Sequence, residues 1–408
     1  MKLKHLLCCG AALAMTASAA NAATINLVDT GGVTGSAAEK GFKIAALYWG
    51  SVLTNNVTIN LGVGFAPLAP RVIGSTGSSR SDITVAAWEA AVNKTKSSSL
   101  LDQTAILPSL NNAGGATFVT NGVDAAGNDD TTKLAVDIGN TTSSKVLYMN
   151  TSVEKAIGVY KGSSTALDGN VQFSSNFGFD FDPTNGISDN TFDFIGVAIH
   201  EIGHALGFVS GVDFLDYYGG PNGPGKSTLG YSLNDTSIYS ALDMFRYSKD
   251  PTNLVLGKDA VLDLSAGTVS GTKYFSIDGG KTALFGNTFS TGAYNGDGSQ
   301  ASHWKDTPNT LPGCPNPQLG IMDPTFCYGQ TGEVTALDLA AFDAMGWNTS
   351  VDALRNPSYR LSTAGIFSQF SSLVPEPSTW AMMLTGFAMM AGALRGRRRA
   401  TVKVAFQG

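Results

Sequence analysis

Excess positive charge is missing from this 408-residue sequence: 26 Lys and Arg face 32 Asp and Glu, a net charge of −6. No basic field of the kind that condenses on phosphate backbones is available, which argues against nucleic acid as a partner. Long apolar runs are missing too. The C-terminal stretch Trp380–Leu394 has 15 residues, short of the roughly 20 that a stable membrane span needs. Cysteine is scarce, with Cys8 and Cys9 at the N-terminus and Cys314 and Cys327 far downstream. Histidine is equally scarce: His5, His200, His204 and His303 are all there are.

What is present begins with an export pattern. Lys2 and Lys4 precede an apolar run from Leu6 to Met15, and Ala20-Asn21-Ala22 supplies a small-x-small cleavage site. The sequence predicts a signal peptide over 1–22 and a mature chain from Ala23. Cys8 and Cys9 leave with that segment. Cys314 and Cys327, 13 residues apart, are then expected to pair in an oxidising compartment. No cysteine precedes the His200 segment in the mature chain, so inhibition by an upstream thiol is excluded. Forty-eight glycines, with many Ser, Thr and Asn, fit a turn-rich extracellular protein.

At the other end, Val374-Pro375-Glu376-Pro377-Ser378, the apolar stretch and Arg395, Arg397, Arg398 and Arg399 follow one another. Over 374–399 this order resembles the PEP-CTERM sorting signal of bacteria. The resemblance implies an exosortase-type processing enzyme as a partner, transient membrane association, and delivery to the cell surface or extracellular matrix. A permanent anchor is the alternative, with the arginines on the cytoplasmic side in either case.

Between the ends, 36–54 reads as an amphipathic helix through Ala38, Phe42, Ala45, Ala46 and Trp49. Val57–Phe65 alternates as a strand, and Ser81 and Asp82 offer a cap for a helix to about Lys96, with Trp88 in its core face. Residues 111–130 read as a loop, and Lys145–Met149 and Gly169–Phe173 as strands. This order predicts an α+β fold, a sheet packed on helices. Asp180-Phe-Asp182-Pro-Thr-Asn185-Gly186 has carboxylate spacing suited to Ca2+ but lacks the closing Glu of an EF-hand, and an Asx-rich turn is the favoured reading.

The chemistry concentrates in Thr191–Val209, a strongly apolar helical pattern interrupted by His200-Glu201-Ile202-Gly203-His204. Histidines at i and i+4 project from one helical face and can share one Zn2+. Glu201, beside the first ligand, is placed to act as a base on a water that the ion polarises. Gly207 permits a sharp turn at the helix end.

His200-Glu-Ile-Gly-His204-Ala-Leu-Gly207 resembles the zinc helix of the metzincin peptidases. In most of them a His or Asp follows that glycine by three residues, where this chain has Ser210. Ala301-Ser-His303-Trp304, then Leu319-Gly-Ile-Met322-Asp-Pro, instead resembles the leishmanolysin-like members, in which an insertion separates the third histidine from the helix. The resemblance implies a catalytic domain over 23–360 with an insertion over 211–302. It further implies His303 as third ligand and Met322 in the Met-turn beneath the metal, with the cysteine pair flanking that turn. Asp213 remains the rival third ligand, with Asp216 behind it. Glu333 is a further candidate, although its place at the start of a helix running through Leu337, Ala341 and Met345 suits a dipole role.

The expected function is a secreted zinc endopeptidase acting on protein or peptide substrates, with hydrolysis of another amide as a variant. The alternative from a different class is a surface or matrix protein with a structural zinc. Glu201 argues against it, because a structural site needs no base and closes its fourth position with Cys or His.

Overall fold

The computed structural model describes residues 22–249, 259–306, 318–374 and 389–390. Residues 1–21 of the segment expected to be a signal peptide, Cys314 and nearly all of the 374–399 segment lie outside the described residues. Among the described residues, no helix is long and apolar enough to cross a membrane.

The chain is a mixture of helices and several small sheets, an α+β fold. β1 (Thr24–Gly31) is followed by α1 (Ala37–Val52), whose Phe42, Ala45, Ala46 and Trp49 are buried as their helical spacing requires. β2 (Thr58–Ala66) returns parallel to β1, and β3 (Gly74–Ser78) comes next. β4 (Arg80–Thr84) leads into α2 (Val85–Thr95). The helix expected from Ser81 thus starts four residues later. Ser81 and Asp82 extend instead as a strand against β7 (Val146–Asn150), and Thr84 Oγ1 caps the helix by accepting from the Ala87 N–H at 3.2 Å. Trp88 is fully buried and donates from Nε1 to Met345 O.

The stretch read as a 111–130 loop contains β5 (Thr117–Val123), which pairs antiparallel with β6 (Asp129–Ile138). Asn121 and Gly122 are strand residues, while 111–115 and 124–128 form turns as expected. Asn121 pairs through both ends of its amide with the backbone of Ala266, and the register shifts between Asn121 and Gly122. β8 (Gly169–Ser174) completes the principal sheet, ordered β1-β2-β8-β3. Its first three strands are parallel, and β3 runs antiparallel at one edge.

The helix Phe194–Ala205 packs between α1 and this sheet, with every residue buried. Its N-cap, Asp193, accepts from Gly196 N at 3.0 Å and from Gly332 N at 2.9 Å. At its C-terminus, Asn150 Nδ2 donates to His204 O, Ser152 Oγ to Ala205 O and Trp347 Nε1 to Leu206 O. Carbonyls that a helix end leaves open are therefore satisfied by three side chains from two distant segments. The described residues of 211–302 include a short helix, Val212–Tyr218, and a three-stranded sheet centred on Arg246–Lys249, and they pack on the β5–β6 hairpin.

Candidate metal centre

His200 and His204 sit on one face of the Phe194–Ala205 helix, and the chain returns His303 to them from 99 residues downstream of His204. His204 Nε2 lies 3.1 Å from His200 Nε2 and 3.2 Å from His303 Nε2, and all three rings are buried.

The other ring nitrogens decide what this cluster is. His200 Nδ1 is 2.8 Å from Ile321 O, His204 Nδ1 2.6 Å from Phe208 O, and His303 Nδ1 3.2 Å from Gln300 O. A carbonyl only accepts, so each Nδ1 carries the proton and each Nε2 is left with a bare lone pair. Burial lowers the His200 ring to about 4 and the His303 ring to about 3. It drives His204 well down as well, and a proton on His204 would further repel one on either neighbouring ring. Three neutral imidazoles thus aim lone pairs at one point, an arrangement that repels itself unless a cation occupies that point. A tetrahedral ion with bonds of about 2.0–2.1 Å would set its nitrogens about 3.3 Å apart. The donor set fits a metal ion, and the triad can hold one.

Glu201 is buried beside the triad. Its Oε2 accepts from Thr76 Oγ1 at 2.7 Å, and that hydroxyl also stands 2.9 Å from Glu201 O. Burial pushes its carboxyl up to about 7, against the opposing pull of the Thr76 hydrogen bond. Thr76 belongs to β3, and Gly74 on the same strand also abuts the carboxylate. A Cβ at residue 74 would lie 2.5 Å from Glu201 Oε1.

Asp213, the rival ligand, does not join the nitrogen cluster. It accepts from Ala301 N at 2.7 Å and from the Ser302 hydroxyl, and so clamps the loop that carries His303. Asp216 binds the backbone N–H groups of Tyr294 and Asn295. Glu333 lies in a short strand, Glu333–Thr335, and pairs with Arg360 at the surface. The helix expected to begin at Glu333 begins at Ala336, capped by Thr335 and Asp338, because Glu333–Thr335 pairs with Arg360–Ser362. Asp180 accepts from Ser188 and Asp182 N, and Asp182 from Thr184, as in an Asx-rich turn.

Met322 is fully buried under the helix, and a Cβ at residue 203 would lie 2.7 Å from its Sδ, so the thioether packs closely over Gly203. Trp304 is buried core, and its backbone N–H donates to Met322 O. Asp338 ties these segments together by accepting from Trp304 Nε1, Ile321 N and Met322 N. Sequence reading singled out neither Thr76, Gly74 nor Asp338. Only Asp338 leaves a local trace, as the third helical residue after a Thr cap.

The triad and Glu201 open onto a cleft of ≈ 690 Å³, bordered by Gly74, Ser75 and Thr76 on one side and by Tyr217, Tyr294 and Phe326 among others. No family model, curated protein sequence or solved structure matches the chain.

Proposed function

We propose that the chain is a secreted zinc-dependent endopeptidase with a metzincin-like catalytic domain, and that Met322 serves as its Met-turn methionine. The convergence of three neutral imidazole Nε2 atoms beside a buried carboxylate carries this reading. Three nitrogen donors suit a borderline ion such as zinc, whereas Ca2+ and Mg2+ call for oxygen ligands. A bound zinc supplies Lewis acidity toward water and toward a carbonyl oxygen. Glu201 takes the proton of the attacking water and returns it to the departing amine nitrogen, the double duty of a carboxyl placed beside the ion. Thr76 orients that carboxylate. β3, paired among the described residues with β8 on one side, offers its other edge to an extended peptide backbone along the cleft. The export pattern over 1–22 and the sorting pattern over 374–399 support action at the cell surface or in the matrix, with processing by an exosortase.

The test compares metal content and casein cleavage of the purified protein and its Glu201→Gln variant. Zinc is expected in both, with cleavage reduced by about 10²- to 10⁴-fold in the variant. Zinc retained with no cleavage by either would overturn the peptidase reading in favour of a structural site.

A further inference from the structure

Arg80 opens β4, just after the edge strand, and is one of the residues lining the cleft. Its guanidinium carbon stands 5.7 Å from the centre of the Tyr148 ring and 6.0 Å from that of Phe214. These aromatic neighbours hold the fork without satisfying its N–H groups. Nη1 is buried and has no hydrogen-bond partner among the described residues.

The acids closest in influence, Asp213 and Asp243, are committed elsewhere. Asp213 holds Ala301 N and the Ser302 hydroxyl. Asp243 takes Ser210 Oγ, Gly211 N and Ser240 N. Arg80 lines the same cleft as the three histidines and Glu201. Arg80 is half-buried, and its Nη1, cut off from water and without an acceptor, loses solvation that no neighbour replaces. A planar carboxylate entering the cleft restores it with two parallel hydrogen bonds.

We propose that Arg80 is the specificity-determining residue of the cleft and binds a carboxylate of the peptide substrate, so that the enzyme selects acidic peptides. This rests on the peptidase reading above. The carboxylate is supplied by a Glu or Asp side chain or by the peptide C-terminus, and the two sources are separable.

Fluorescein-labelled heptapeptides of Ala and Gly, amidated at the C-terminus, would carry a single Glu or Gln at each position in turn. A Gln peptide with a free C-terminal acid forms the second arm. Binding is read by anisotropy on zinc-loaded Glu201→Gln protein, so the measurement does not depend on cleavage, and kcat/KM is read on the wild type.

At one position the Glu peptide is expected to bind about 10- to 100-fold tighter than its Gln partner. That ratio should collapse to about 1 with Arg80→Gln and survive in part with Arg80→Lys. With Arg80→Glu it should invert in favour of a Lys peptide, which only a folded cleft can do. Preference confined to the free-acid peptide assigns the subsite to the C-terminus. Equal binding of all members overturns the proposal, as does a preference that persists in Arg80→Gln or one that is lost instead on replacing Arg71, the exposed arginine at the rim. Acid-selective binding without cleavage by the wild type would leave the Arg80 assignment standing and overturn only the peptidase reading.

Discussion

Glu201 and the backbone of residue 74 compete for the same space. The gap between them accepts a hydrogen and nothing larger, since an added methyl would sit 2.5 Å from Oε1 and 2.9 Å from Cγ of Glu201. Those atoms belong to the end of a flexible side chain, so a Gly74→Ala protein is expected to fold and bind zinc normally with its carboxylate displaced. Misplacing a reacting group by about 1 Å costs on the order of 10²-fold in rate. Casein cleavage should therefore fall by about 10- to 100-fold while zinc content and melting temperature stay near the wild-type values. A large drop in melting temperature with full specific activity in the folded fraction would refute this account. At this scale the sequence is half legible: the spacing of His200, Glu201 and His204 displays the chemistry of the helix. The glycine and threonine that position the acid sit on a strand more than 120 residues away, in no local pattern.

One carboxylate joins three elements at the floor of the site. Asp338, in the first turn of the Ala336–Met345 helix, accepts from Trp304 beside the third histidine and from the backbone of Ile321 and Met322, while the carbonyl of Ile321 fixes the His200 tautomer. Asp338→Ala would strand these buried donors, each at about 1–3 kcal/mol, for an expected destabilisation of about 3 kcal/mol or more in urea titrations. Because both the His303 loop and the Ile321 carbonyl hang on it, zinc should also leave faster to a chelator, and Asp338→Asn should show a smaller effect on both. An unchanged zinc release rate would separate Asp338 from the centre. Elements with unbroken periodicity, α1, β2 and the His200 helix, were readable from the sequence. The errors share a cause: polar residues whose intrinsic preferences fit caps and turns were recruited into strands by distant partners. Ser81 and Asp82 pair with β7, Asn121 pairs with Ala266, and Glu333 pairs across to Arg360–Ser362. Tertiary pairing of this kind overrides local propensity.

For the whole molecule, the triad is a cross-link between segments 99 residues apart. The return of His303 depends on Arg246, which donates to Ala301 O and Ser290 O from inside the 211–302 segment, and on Asp213 at its start. None of these pairings has a sequence signature, although the position of His303 ahead of Met322 marked it as the third ligand in the resemblance. Without a cation, three lone pairs face one another at close range, so the metal-free fold keeps a local repulsion that the ion converts into three bonds. Zinc bound at 1,000 times its Kd would add about 4 kcal/mol. In a chain of this size that raises the melting temperature by roughly 5–10 °C. Chelation should remove that increment, and added zinc should restore it. His303→Ala removes one leg of the cross-link and the repulsion together, so its melting temperature should match or exceed that of the chelated wild type and respond little to zinc. A full zinc-dependent rise in His303→Ala, read by calorimetry, would mean that the ion is held without the downstream loop.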